Sequence, residues 1–381
     1  MEVKQIYTIV NSIEQEATGE TAIIKEDLSN IVEVGGNILD KMGVDNYVKS
    51  LVNKIGKTIY VDRTYTGGAP DISVDSWEYG SILEKVRCEL PDAVANPTWT
   101  LAKGQSVDPF VFNPPEVSAK FYNSKTTFSV DISFTDIQVR ESMRSASDLN
   151  RFFAMIENRI RMKLRLAKDN LTMRTIVNLI SEKIAAGDSI VDLLALYNAN
   201  HTPTITAAQA MTTPAFLRFA CSIIMLYRDY ITKASVLYNT GGYVTFTPKD
   251  RQHMILISEF DTMLKTELYS TTYHDDLVRF GDYDTVPFWQ GSGNTAPVFT
   301  TATEINASIA SDPDTTVHRN YIVGVLFDRD ACTICNDNPR VTSIYNPRGE
   351  YTNYFYKEDC SYLNDLNENV VVFTIGNGAI S

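Results

Sequence analysis

Ser147-Asp-Leu-Asn-Arg-Phe-Phe-Ala-Met-Ile-Glu-Asn-Arg-Ile160-Arg-Met-Lys-Leu-Arg-Leu-Ala-Lys-Asp-Asn-Leu-Thr-Met-Arg-Thr-Ile-Val-Asn-Leu-Ile-Ser-Glu-Lys-Ile-Ala-Ala186 contains neither proline nor glycine; the nearest glycines are Gly104 and Gly187. Leu149, Phe153, Ile156, Ile160, Leu164, Ala167 and Leu171 recur at three- and four-residue spacing, which stacks them on one helix face. Met173, Ile176, Val177, Ile180 and Ile184 continue that stripe with a small change of phase. Ser145 ahead of Asp148 resembles a capping box, and Gly187 stands where a C-terminal cap glycine belongs. At 1.5 Å per residue the segment predicts one helix roughly 60 Å long. Ordinary globular helices average about 11–12 residues. A helix of this length is a spine across which other elements lie.

Before the spine, residues 1–30 read as a short acidic helical arm and a turn, broken by the glycine pair in Asn30-Ile-Val-Glu-Val-Gly-Gly. Val44, Tyr47, Val48, Leu51, Val52 and Ile55 predict a short amphipathic helix ended by Gly56. Lys57 to Tyr65 is β-branched and aromatic and reads as a strand. Residues 67–127 hold a strand pattern near Val86-Arg-Cys-Glu-Leu, then Pro91, Pro97, Pro109, Pro114 and Pro115 around Trp99, Phe110 and Phe112. Phe128, Val130, Ile132 and Phe134 alternate cleanly and are read as the return strand. This predicts a projecting hairpin arm whose aromatic tip lies on another molecule, because bare aromatics are an aggregation liability on a monomer. The plainer alternative is a proline-rich surface loop folded on its own core.

After the spine, Asp188–Leu196 reads as a short helix, and Thr213-Pro214 opens a helix through Ile231. His253–Ile257 is a buried strand followed by a helix over Glu259–Leu268; residues 284–316 read as a long loop, and Tyr321–Phe327 as another buried strand. The alternation predicts a compact α+β lobe. The C-terminal piece is strand-dominated: Arg340–Tyr345, Tyr351–Tyr356 and Val370–Ile375, with a tight turn at Asn346-Pro-Arg-Gly.

Composition narrows the function. The 381 residues are 44% hydrophobic and carry a net charge of −13 spread along the chain. That disfavours wholesale coating of nucleic acid, which needs a basic surface. Five cysteines point to no disulfide framework and to a reducing interior. No run of about 18 apolar residues predicts a membrane span, and the N-terminus lacks a signal-peptide pattern.

Chemistry-bearing motifs are absent: no phosphate loop, no dinucleotide-binding glycine pattern, no zinc-protease motif and no nucleophile elbow occur. Cys332-Thr-Ile-Cys335 is a lone pair of cysteines, read as buried thiols in preference to a metal or redox site. His274-Asp275-Asp276 reads as a surface triplet. No catalytic residue, metal ligand or cofactor site is expected, and an enzyme is not supported. Arg159, Arg161, Lys163, Arg165 and Lys168 make the middle of the spine basic. They read as a solvated helix, with pairing to neighbouring subunits or enclosed nucleic acid as the sharper alternative.

Two stretches carry a family resemblance. One is Val32-Glu-Val-Gly-Gly-Asn-Ile-Leu with Tyr47-Val-Lys-Ser-Leu-Val-Asn-Lys-Ile-Gly56; the other is Val325-Leu-Phe-Asp-Arg-Asp330 with Ile344-Tyr-Asn-Pro-Arg-Gly-Glu-Tyr-Thr-Asn-Tyr-Phe-Tyr356. With the element order, they resemble the major capsid proteins of tailed bacteriophages, which have the Johnson fold of the Hong Kong phage type, and most closely those of small short-tailed picovirus-type phages. The resemblance implies an α+β capsid fold with an N-terminal arm and first strand over 1–66 and an extended β-hairpin arm (E-loop) over 67–127. A peripheral domain would comprise 128–187 plus 341–381, and an axial domain 188–340. No immunoglobulin-like decoration is expected after the strand return.

The implied function is self-assembly as hexamers and pentamers into an icosahedral or prolate head enclosing double-stranded DNA, which is bound without sequence specificity. A separate scaffolding protein and a portal are implied partners, with assembly in the host bacterial cytoplasm, residence in the virion and no membrane. Trp99, Lys103, Phe110, Phe112 and Arg348 are the candidate inter-subunit contacts. Neither trimming of the N-terminus nor a covalent crosslink through Lys103 is expected. An encapsulin-like nanocompartment and a carboxylate-dependent hydrolase are the alternatives.

Overall fold

The computed structural model describes residues 3–18, 24–25, 29–43, 46–47, 49–50, 69–74, 83–89, 100–108, 110, 112, 114–142, 146–271, 282–290 and 298–376. The spine is a single helix, Ala146–Ala186, of 41 residues. Its two halves live in different surroundings, which explains the phase change in its stripe. In the first half one face is buried, through Phe152, Ile156, Ile160 and Leu164. The second half is enclosed nearly all round: Ile176, Val177, Leu179 and Ile180 are buried, and so are Ser181, Glu182 and Lys183. Buried hydroxyls there turn back on the helix, with Thr175 Oγ1 donating to the Leu171 carbonyl at 2.8 Å and Ser181 Oγ to that of Val177 at 2.8 Å. Gly187 ends it at φ 72°, its N–H donating to the Lys183 carbonyl at 3.1 Å.

A four-stranded sheet lies under the first half. Its strands are β1 (Ser73–Val74), β4 (Lys125–Thr135), β11 (Cys332–Asn346) and β12 (Tyr351–Asn364), in the order β1-β11-β12-β4. Val130, Ile132 and Phe134 of β4 stand directly opposite Tyr356, Tyr354 and Thr352 of β12 and share their buried face. The Phe134 ring meets Phe152 of the spine edge-on at 5.5 Å. Helices Val3–Thr18 and Ile31–Met42 close this core with Ile9, Val10, Ile13, Val34, Ile38 and Leu39.

A five-stranded sheet packs with the second half. Its strands are β5 (Ile190–Asp192), β6 (Gln252–Ile257), β7 (Asp284–Val286), β10 (Ile322–Asp328) and β13 (Val370–Thr374), in the order β5-β13-β10-β6-β7. Every residue of β6, β10 and β13 is buried, because both sheet faces are covered. Helices Pro214–Tyr230 and Ser258–Thr271 belong to this core, and Trp289 donates its indole N–H to the Ile322 carbonyl at 2.7 Å.

Several elements differ from their sequence reading. The pair Gly35-Gly36 does not break the chain but lies inside Ile31–Met42, where buried Val34, Ile38 and Leu39 offset the helix cost of glycine, about 1 kcal/mol each. The return strand of the arm is β3 (Val117–Tyr122), which pairs antiparallel with β2 (Leu83–Cys88). The alternating run Phe128–Phe134 instead belongs to β4, because its apolar face is needed against the spine. The short helix after the spine is Leu193–Asn200, preceded by β5; Asp192 caps it by accepting from the Leu194 and Ala195 N–H groups, both at 3.0 Å.

Within the stretch read as loop, 284–316, lie β7, a helical turn Phe299–Ala302 and β8 (Ile305–Ser308), which pairs with β9 (Thr316–Arg319). Strand β11 begins at Cys332, well before Arg340. Strand β13 leaves the other C-terminal strands and joins β10 and β5. The expected strand over 57–65 and most of the helix over 44–55 lie outside the described residues, although Tyr47 is described and fully buried.

Candidate assembly surface

The arm is a two-stranded ribbon with two different faces. Residues directly opposite share a face, so Leu83/Tyr122, Lys85/Lys120 and Arg87/Ser118 form one, and Glu84/Phe121, Val86/Ala119 and Cys88/Val117 the other. The first is clamped at its root to the turn between β12 and β13. Lys85 Nζ lies 2.9 Å from Asp365 Oδ2 and donates to the Asp330 carbonyl at 2.9 Å. Arg87 pairs with Glu368 and lies over the Tyr243 ring at 5.6 Å, and Lys120 Nζ stands 3.8 Å from Asp365.

Asp365 is almost wholly buried, and burial alone would push its carboxyl up. The facing Tyr122 hydroxyl and the Lys85 ammonium outweigh that and hold it below the ordinary carboxylate range. Glu368 goes the other way: burial pushes it up despite Arg87 and Lys85. Removing one partner from a buried pair of this kind costs about 3–5 kcal/mol. The clamp fixes the angle at which the arm leaves the body. Lys85 and Arg87 are not singled out by sequence reading; their spacing of two residues in a strand puts them on one face and is the signal that could have found them.

Beyond the clamp the described residues 100–108, 110, 112 and 114–117 are all exposed. Phe110 is 90% exposed and Phe112 84%, and Val107 and Lys103, a few residues earlier in the chain, are exposed too. Trp99 lies outside the described residues. Arg348 is exposed too, but at the turn from β11 to β12, where the Asn346 side-chain carbonyl accepts from the Arg348 N–H at 3.0 Å and the Gly349 N–H at 3.2 Å. A Cβ on Gly349 would come within 2.4 Å of the Tyr351 ring, which accounts for glycine there. That turn and the arm root sit at opposite ends of β12, about 45 Å apart at 3.3 Å per residue. Lys103, Phe110 and Phe112 are neighbours in the chain and all exposed, and Arg348 lies at the far end of β12.

The basic middle of the spine divides as well. Lys168 Nζ pairs with the buried Glu358 of β12 at 2.8 Å. Arg159, Lys163 and Arg165 are exposed. Cys332 and Cys335 are both buried; three apart on an extended strand, they point to opposite faces. Burial pushes the Cys332 thiol up, and that of Cys360 to about 12. Among the described residues no group of three or more His, Cys, Asp or Glu side chains could hold a metal ion, and no helix is long and apolar enough to cross a membrane. His274-Asp275-Asp276 lies outside the described residues.

Comparison with known proteins gives this scaffold a context. A family profile described as Phi29-like phage major capsid protein matches residues 6–374. Among solved structures, the capsid of Staphylococcus phage Andhra is similar at TM-score 0.54 and 9% identity, over 81% of this chain and 84% of that one. A chain from the structure of the head fiber and inner core protein gp22 of native bacteriophage P68 is similar at TM-score 0.51 and 9% identity, over 81% and 85%. No curated protein matches. At such identity the structural likeness shows the fold alone; the family match spans nearly all of the sequence. The chain belongs to the Phi29-like phage major capsid proteins, and is a Johnson-fold subunit of the many-copy shell of a phage head.

Proposed function

We propose that this chain forms hexamers and pentamers that close into an icosahedral or prolate head around double-stranded DNA, in a structural and not a catalytic role. The observation that carries the reading is the arm: a ribbon anchored by a buried ion cluster that holds Phe110 and Phe112 out in water. Exposed rings of this kind are an aggregation liability on a free subunit, and assembly removes it by covering them. Residues 67–127 would then lie over a neighbour and 1–66 would reach outward. Residues 188–340, with β13 added to their sheet, would form the axial domain at the capsomer centre, and 128–187 plus the rest of 341–381 the peripheral domain. Trp99, Lys103, Phe110, Phe112 and Arg348 are the proposed inter-subunit contacts. Many modest interfaces of this kind add to a strong shell.

A separate scaffolding protein and a portal would guide closure in the host cytoplasm. DNA would be contained without sequence-specific contacts, in keeping with a net charge of −13. Negative-stain microscopy of the chain co-expressed with its phage's scaffold tests the reading. Shells or sheets of hexamers are the expected result; a monodisperse monomer under all conditions would sink it.

A further inference from the structure

The edges of the two sheets meet in a cleft of about 560 Å³. Asp71 and Ser73 line it from the four-stranded sheet, His253 of β6 and Asp284 of β7 from the five-stranded one, and Arg329 from the link between β10 and β11. Strand β6 is buried along its whole length, and His253 is its one titratable residue. The imidazole is only 9% exposed and packs against the Phe327 ring at 5.2 Å between centroids. Its Nε2 is closed off from water and makes no hydrogen bond, although it stands 3.1 Å from Asp284 Oδ2. A buried polar atom without a partner costs stability, and each such exception calls for a reason.

The charges around the ring supply one. Asp284 and Asp71 favour a protonated imidazole, while burial, the largest influence, and the Arg329 guanidinium oppose it and outweigh them. Of the other titratable groups at the cleft, Asp282 is exposed, Tyr283 donates its hydroxyl to Asp261 at 2.6 Å, and burial keeps the Cys332 thiol neutral. The closed cleft therefore holds a neutral His253 whose pKa lies below the ordinary value of about 6.5. Opening that admits water to the ring restores that value. Between the two pKa values the open form binds more protons, so each unit fall in pH favours it by up to about tenfold.

The parts free to move are short. Strand β1 has two residues and β7 three, and each lies at the edge of its sheet. Asp71 is tied to β1, its Oδ1 accepting from the Ser73 N–H at 3.1 Å. Edge elements held by so few ladder bonds open locally at low cost, while β6 stays paired with β10.

We propose that this cleft is a proton-operated joint between the two sheets, shut while His253 is neutral and opened by displacement of β1 or β7 when the imidazole takes a proton. The joint loosens one edge of the contact between the lobes and leaves the spine intact. It belongs to the single subunit, so it can stand or fall independently of shell formation.

Hydrogen exchange of the full-length unassembled chain, read by mass spectrometry from pH 7.5 to 5.0 and corrected for the intrinsic pH dependence of exchange, tests this. Below about pH 6.5, peptides covering Ser73–Val74 or Asp284–Val286 are expected to open up to about tenfold more per pH unit, while those of β13 hold steady. His253→Gln, which keeps a polar side chain but cannot titrate there, is expected to abolish the rise. Arg329→Gln lets the closed form accept the proton and is expected to give a smaller total rise at pH 5.0; Asp284→Asn is expected to give a larger one. Edge peptides that stay protected to pH 5.0, or a rise that persists in His253→Gln, would overturn the joint. An equal rise in β13 would mean general acid unfolding and overturn it too. Should His253→Gln fail to fold, the other two variants decide, and changes of the same sign in both would refute the proposal.

Discussion

Lys183 carries an amine with almost no water around it. It is fully buried in the last turn of the spine, donating to Thr240 Oγ1 at 3.0 Å and to the Tyr238 carbonyl at 3.3 Å. Burial pushes its pKa down to about 8, with only Asp188 opposing. An unfolded lysine titrates near 10.4, so between about pH 8 and 10.4 the unfolded chain binds more protons than the native one. Native stability must therefore rise with pH across that window, as the buried charge is relieved. Urea midpoints of the unassembled chain are expected to increase from pH 7.5 to 9.5, and Lys183→Met to remove that increment. An increment unchanged in the variant would mean that Lys183 is not its source. Sequence gave little warning of this residue. A lysine near a helix C-terminus reads as a solvated charge facing the dipole, and only the loop at Tyr238–Thr240 laid over the spine makes it a core residue. Glu182 beside it is hidden too, accepting from the Ser311 N–H at 2.7 Å.

At the scale of elements, legibility follows how local the signal is. The spine was readable to within one residue, because its period is written in the chain and no breaker interrupts it. The buried strands around His253 and Tyr321 were readable because a run of apolar residues needs no partner to be recognised. Strand β3 is not legible because its apolar residues, Val117, Ala119 and Phe121, all lie on the exposed face, so no core marks it. Strand β4 is marked by its alternation, which says that one face is buried, but nothing local says that the pairing is with β12, over 200 positions on. The Leu193–Asn200 helix began late for a reason that is local, the Asp192 cap. That carboxylate also accepts from the Gly376 N–H at 2.8 Å, tying the helix to the end of β13. Asp192→Ala is expected to cost about 1–2 kcal/mol, the upper part of the range for a lost cap, because the Gly376 N–H is orphaned along with the two N–H groups of the cap. A shift in the denaturation midpoint of the unassembled chain would report it; no measurable shift would mean that water replaces both contacts.

At the scale of the whole molecule, two hydrophobic cores share one beam. Phe152, Ile156, Ile160 and Leu164 belong to the core under the four-stranded sheet, and Leu171, Ile176, Val177 and Ile180 to that around the five-stranded sheet. No residue of the helix between them is a proline or glycine, so bending the beam means breaking its hydrogen-bond ladder. The same helix therefore couples the cores mechanically and energetically, and the two should unfold together. With Trp77 and Trp99 replaced by phenylalanine, Trp289, buried in the second core, reports that lobe by fluorescence, while the far-ultraviolet helix signal reports both. In the native chain the two thermal transitions are expected to coincide. Proline at position 160 removes one backbone N–H and crowds the preceding turn, costing about 3 kcal/mol or more, and it deletes a buried side chain of the first core. Ile160→Pro is accordingly expected to split the transitions: part of the helix signal melts early while Trp289 holds near its native midpoint. Shell assembly should fail in the same variant, because the arm root and the five-stranded-sheet lobe would no longer be held at a fixed distance. Normal shells from Ile160→Pro would show that the spine is packing material and not the beam, whatever the unfolding curves do.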